Sequence, residues 1–195
     1  MAMTMASDQR ISADEFKHAF RLHPAGVAVV TADAGDGPVA MTVSSLFSVA
    51  VDPPTLVFSA SAMSSSTPTI LRAETVVVHL VASDNVDLAK LCARSGSSRF
   101  GDDVGSSRLP SGEPYYPGAN AWLRGRVTRH VDVHGSVLVI VEALEAKPQE
   151  DVADEGAAPL VYHGHRWFAL GEDAMLREKV FPYHAIYGRL DDLDL

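Results

Sequence analysis

Hydroxyl side chains are concentrated in one part of this chain. Thr42, Ser44 and Ser45 interrupt an apolar run, and Ser64-Ser65-Ser66-Thr67-Pro68 leads into a short helical stretch, Thr69 to Ala73. A serine- and threonine-rich segment ahead of a helix brings hydroxyls and unpaired backbone N–H groups to one point, which is the chemistry that recognises phosphate. Thr67 has the type expected of an N-cap and Pro68 that of the first helical residue. The same residues also make an ordinary cap followed by a solvated loop. Hydroxyls within an apolar strand add a second requirement, because buried polar groups need partners. Either the strand ladder and its neighbours supply them at Thr42, Ser44 and Ser45, or the edge of a flat heteroaromatic ligand does.

Other chemistries fit less well. His130 with His134, and His163 with His165, lack a compact third ligand at the spacing of a closed metal site, so no metal is expected. No Gly-x-Ser-x-Gly elbow surrounds Ser44-Ser45, which argues against a serine hydrolase. The Gly-x-Gly-x-x-Gly fingerprint is absent, so a dinucleotide would not be held on a Rossmann unit. Cys92 shares an apolar helical face with Leu88 and Leu91 and is expected in the core rather than as a nucleophile. Arg99 suits either a phosphate or a surface ion pair, and Tyr115-Tyr116 either anchors a loop or covers a pocket.

These residues have to be positioned by mainly β structure. Ser12-Ala13-Asp14-Glu15 has the form of a capping box, and Phe16, Ala19, Phe20 and His23 follow at helical spacing until Pro24. Strand-like runs cover Gly26 to Thr31, Pro38 to Val51, Thr55 to Ala60 and Val76 to Ala82, and Ser83-Asp84 starts a helix. Ser95 to Asn120 is a long Gly-, Ser- and Pro-rich loop. Hairpins are expected around His134-Gly135, from Ala121 to Val131 and Ser136 to Ala146, and around Gly164-His165, from Leu160 to His163 and Arg166 to Leu170. An acidic linker, Lys147 to Pro159, separates them. Without regular βαβ alternation, the pattern favours a closed or partly open antiparallel barrel in an α+β chain with short helices.

With 195 residues, 47% apolar and 21% charged, the chain suits a single globular domain. Its net charge of −9 disfavours a nucleic-acid partner. No apolar run approaches the ~20 residues that span a bilayer, and MAMTMASDQR lacks a secretion signal's apolar core, so a cytoplasmic, membrane-free protein is expected.

The segment Met41-Thr42-Val43-Ser44-Ser45-Leu46-Phe47-Ser48-Val49, followed by Asp52-Pro53-Pro54 and Ser65-Ser66-Thr67, resembles the signature of the flavin reductase-like proteins. The resemblance runs from about residue 14 to 170, through Phe20 to Thr31, Val76 to Leu80, Arg99-Phe100, Trp122 to Val127 and Tyr162-His163-Gly164. It leaves residues 1–13 as an N-terminal tail and 171–195 as a C-terminal extension. It implies an antiparallel Greek-key split β-barrel that binds FMN or FAD, takes hydride from NADH or NADPH, and supplies reduced flavin to a partner monooxygenase. A homodimer is implied as well. By the same resemblance Met41, Thr42, Val43, Ser44 and Ser45 line the flavin ring, and Ser59, Ala60 and Ser61 approach the ribityl chain. Ser65, Ser66 and Thr67 take the phosphate, Arg99 and Phe100 form a further contact pair, and His163 lies near the nicotinamide. His79 departs from the Asn common in relatives. A flavin carrier without turnover, or an enzyme using a tightly held flavin on an organic substrate, are the alternatives.

Overall fold

The computed structural model describes residues 10–148, 157–171 and 174. In chain order the elements are α1 (Ala13–Phe20), β1 (Ala25–Gly26), β2 (Ala28–Asp33), β3 (Pro38–Val43), β4 (Phe47–Ala50), β5 (Thr55–Ser61), α2 (Thr67–Arg72), β6 (Thr75–Leu80), α3 (Val86–Ala93), β7 (Ser107–Arg108), β8 (Pro114–Tyr115), β9 (Ala121–Val133), β10 (Ser136–Pro148), β11 (Leu160–His163) and β12 (Arg166–Ala169). Seven strands form one antiparallel sheet in the order β3-β2-β6-β9-β10-β5-β4, and β1-β11-β12 form a smaller one.

The connectivity forces the large sheet to curl. Laid flat, its two edge strands β3 and β4 would stand about 29 Å apart at the usual strand spacing. They are consecutive in sequence, and the three residues Ser44, Leu46 and Ser45 between them reach only about 14 Å fully extended. The sheet therefore rolls until its edges approach, giving a barrel split along one seam. Ser45 sits at the seam, where its hydroxyl accepts from Ser59 N at 2.9 Å and reaches Ser59 O at 3.2 Å.

Inward-facing residues fill the barrel. Ala28, Val30, Met41, Val43, Phe58, Ala60, Val76, Val78, Val139 and Val141 form one cluster, which Ile70 and Ala73 from the α2 connection enter. The outer face of β2 and β3 is covered in turn, with Val29 and Ala40 packing against Ala89 and Cys92 of α3 and Tyr116 of the long loop. Both faces of β2 are thus buried, which is why its sequence is apolar throughout rather than alternating.

Two polar side chains fasten the loop to the sheet. His79 is fully buried: its Nδ1 lies 2.9 Å from Val29 O, and its Nε2 accepts from Tyr116 N at 3.0 Å. That pair of bonds puts the proton on Nδ1, and desolvation pushes the imidazole down to about 4. Glu113 receives Arg124 Nε at 2.7 Å and Thr75 Oγ1 at 2.6 Å. Burial opposes its charge, yet the hydrogen bonds from Ser111, Thr75 and Arg124 hold it at about 2.

Several expectations shift. The run Pro38 to Val51 is two strands broken at Ser44–Leu46, because the chain changes sheet edge there. The second helix begins at Thr67, not Thr69, and Ser66 rather than Thr67 occupies its N-cap, without a side-chain capping bond. The loop Ser95 to Asn120 is ordered by β7, β8 and the buried Leu109 and Tyr116. Most of the N-terminal tail and of the acidic linker, and all of the C-terminal extension except Gly171 and Ala174, lie outside the described residues. No helix among the described residues is long and apolar enough to cross a membrane.

Candidate functional site

A cleft of about 470 Å³ opens over the β3–β4 link and is walled by β3, the end of β5, the loop before α2, and the end of α3. Met41, Thr42, Val43, Ser44, Ser45, Ser59, Ser61, Ser65 and Arg99 line it. Nine positions expected at a flavin are therefore brought to one hollow. They arrive from separate elements because the curled sheet sets the β3–β4 link against β5.

Their polar groups differ in availability. Thr42 Oγ1 donates to Ala89 O at 2.6 Å, and Ser45 is committed to Ser59 at the seam. Ser61 and Ser64 hydroxyls accept weak backbone bonds from Met63 and Ser66, each at 3.3 Å. Among the described residues the hydroxyls of Ser44, Ser59, Ser65 and Ser136 have no protein partner. Those are the groups free to meet a ligand.

Arg99 supplies the charge. Its guanidinium donates to Ser66 Oγ at 2.7 Å and to the carbonyls of Ala40 and Arg94, and no carboxylate pairs with it among the described residues. The cleft lining contains no Asp or Glu. A fixed cation beside free hydroxyls, without a competing carboxylate, suits a phosphate monoester.

Four expected positions stand apart from this cleft. Ala60 faces the barrel core with no exposed surface. Ser66 is buried and donates to Ala40 O at 2.8 Å, so it orients Arg99 rather than facing the hollow. Thr67 is also buried, with Oγ1 donating to Ser61 O at 2.7 Å and its N–H taken by Ser64 O at 3.1 Å. Thr67 thus spends both its hydroxyl and its N–H within the protein. Phe100 points away and stacks on Tyr116 at 5.7 Å, while Tyr116 Oη donates to Arg99 O at 2.6 Å. This aromatic pair holds the backbone that presents Arg99.

Met63, Ser64, Cys92, Ala93, Ser95 and Ser136 also line the cleft without having been expected there. Ser64 belongs to the serine run already singled out, but Ser136 reaches the site only through its pairing with Ser61 across β10 and β5. Cys92 is 2% exposed, and burial pushes its thiol up, so it serves as wall and not as nucleophile.

His163 lies in a second cleft of about 770 Å³, between α1, β1, the β3–β4 link and the β11–β12 turn. Ser44 and Ser45 line both clefts. Two hollows thus meet at a pair of serines, one rich in hydroxyls with a cation, the other walled by aromatic rings. Such an arrangement can take a flat group in each hollow, the two meeting at Ser44 and Ser45.

Residues 20–171 match the flavin reductase like domain. The chain belongs to that family. It is 37% identical to an NADH:FMN oxidoreductase of Rhodococcus qingshengii over 168 residues, 86% of this chain and 87% of the relative. A solved flavin reductase domain protein from Arthrobacter sp. FB24 superposes with a TM-score of 0.77 at 29% identity, covering 87% of this chain and all of that one. BorF, the flavin reductase component of a bacterial two-component tryptophan halogenase, gives a TM-score of 0.71 at 26% identity, covering 82% of this chain and 98% of its own. The seam and the hydroxyl cleft fall within the stretch that matches the flavin reductase family, and so does the second cleft apart from Phe16 and Lys17.

Proposed function

We propose that this protein is an NAD(P)H:flavin oxidoreductase that reduces FMN or FAD and passes the reduced flavin to a partner monooxygenase. The observation that carries the proposal is the junction of two clefts at Ser44 and Ser45, one of them carrying Arg99 and unpaired hydroxyls. When bound, the flavin supplies the redox chemistry by accepting hydride from the reduced nicotinamide. The chain's own residues bind, orient and shield. Ser44 hydrogen-bonds the polar edge of the ring, Ser59 meets the ribityl chain, Arg99 and Ser65 hold the phosphate, and Met41 and Val43 present an apolar wall. His163 positions the nicotinamide from the second cleft and need not move a proton, since stacked rings react without an acid from the protein.

The same proposal treats residues 14–170 as the flavin-handling domain and 171–195 as an extension to it. It also takes the protein to be cytoplasmic, as its lack of a bilayer-length apolar run and of a secretion signal suggests, and a homodimer, as the family resemblance implies. The test is steady-state oxidation of NADH and of NADPH with and without added FMN or FAD. Turnover that depends on added flavin, and saturates in both substrates, supports the proposal. Flavin binding without turnover points to a carrier, and flavin retained through desalting points to an enzyme that keeps its flavin for another substrate.

A further inference from the structure

The second cleft has a chemical character that flavin handling does not explain. Lys17 and Arg21 line it together with His23, His163 and His165, and its lining contains no Asp or Glu. In a chain of net charge −9 such a one-sided arrangement marks an anion site. Arg21 has no carboxylate partner among the described residues, and Lys17 reaches only the exposed Asp14 at 3.4 Å.

Flat apolar groups occupy the same walls. Phe16 and Phe20 lie with ring centroids 4.5 Å apart and are 50% and 58% exposed, although they form the apolar face of α1. Phe47, also 58% exposed, lines the cleft from the other side. Helix α1 buries none of its residues, so its apolar face has no partner among the described residues. Its C-terminal end is nonetheless fixed in place, because Gly164 N donates to Arg21 O at 3.2 Å, tying it to the turn that carries His163.

Aromatic faces and cations lining one cleft, with no carboxylate in that lining, match a ligand that joins planar bases through phosphates. We propose that α1 is the dinucleotide-recognition element of this protein, with Arg21 and Lys17 binding the pyrophosphate of the nicotinamide nucleotide and Phe20 offering a stacking surface to one of its bases. This rests on the reductase proposal for the identity of the ligand but makes a separate claim about α1. Covering of the same face by a second copy, or by residues 175–195, is the competing arrangement. Arg21 reaches its ligand only if that face is open to it.

The test uses Arg21→Ala, Lys17→Ala and Phe20→Ala in the full chain, with Arg129→Ala as a cation lost outside this cleft. The first readout is binding of ADP-ribose, which carries the pyrophosphate but no nicotinamide, to flavin-free protein by calorimetric titration. The inference predicts that Arg21→Ala weakens it about tenfold or more, because a charge-assisted contact is lost, while Arg129→Ala does not. Added salt should weaken wild-type binding more steeply than binding to Arg21→Ala. The second readout is turnover, where KM for the nicotinamide nucleotide should rise with kcat and flavin affinity little changed. Arg21→Lys should recover part of the loss. Equal ADP-ribose affinity in Arg21→Ala and wild type, each with an intact thermal transition, overturns the inference while leaving flavin reduction standing. ADP-ribose binding that appears only after residues 175–195 are deleted would overturn it as well, by showing that the face is already covered. Absence of any NAD(P)H turnover would instead strike at the reductase proposal, with the titration still reporting on α1.

Discussion

Ser44 and Ser45 carry the same hydroxyl and take opposite parts. Ser45 spends its oxygen on Ser59 across the seam, whereas Ser44 has no protein partner among the described residues. Ser45→Ala should therefore lower stability by about 1–2 kcal/mol in chemical denaturation, and Ser44→Ala should stay within about 0.5 kcal/mol of wild type while weakening flavin binding. Arg99→Ala should reduce flavin affinity about tenfold or more in a fluorescence titration, since it removes the cation of the cleft. Thr67→Ala, in contrast, should cost stability by about 1 kcal/mol because its hydroxyl is spent on Ser61 O. His79 sets a pH dependence. Its folded value of about 4 lies below the ordinary 6.5, so the unfolded chain binds the proton more readily between them. Stability should be fully present above pH 6.5 and fall as pH drops towards 4, and His79→Asn should flatten that slope in denaturation midpoints. Residue type was legible in the sequence: the hydroxyl clusters at 42–45 and 64–67 and Arg99 all stood out. Side-chain direction was not, because Thr67 and Ser66 turn inward only once β3 and β5 are in place to receive them.

At the scale of elements, the hairpins and the first helix could be read from turn residues and caps. The capping box at Ser12 and Glu15 is formed, and the turns at His134-Gly135 and Gly164-His165 join the strand pairs anticipated around them. The break at Ser44–Leu46 was hidden, because both flanking strands are apolar enough to look continuous and the change of sheet edge is a tertiary event. His79 was equally illegible as an anchor, since its partners Val29 and Tyr116 are remote in sequence. Gly125 shows how tightly the long β9–β10 pair is built. A Cβ there would lie 2.8 Å from Glu142 O and collide with the Val141 side chain, beside an irregularity in the pairing register. Gly125→Ala should destabilise the protein by about 1–3 kcal/mol through overpacking, read as a lowered thermal midpoint. An unchanged midpoint would mean that the two strands can separate at little cost.

For the molecule as a whole, one topological fact organises the chemistry. Strands at opposite edges of a seven-stranded sheet are joined by three residues, so the barrel must roll up and place that link between two clefts. The fold class was legible from strand count and the lack of βαβ alternation. The second cleft was not, because α1, the β3–β4 link and β11 meet only in three dimensions. The account stands on the hydroxyl cleft being the place where flavin binds. The crystal structure of the protein with FMN tests this most directly. It should show the phosphate within hydrogen-bonding distance of Arg99 and Ser65, the ring edge against Ser44, and the ribityl chain beside Ser59. FMN bound elsewhere, with this cleft filled by the protein's own side chains, would contradict the account.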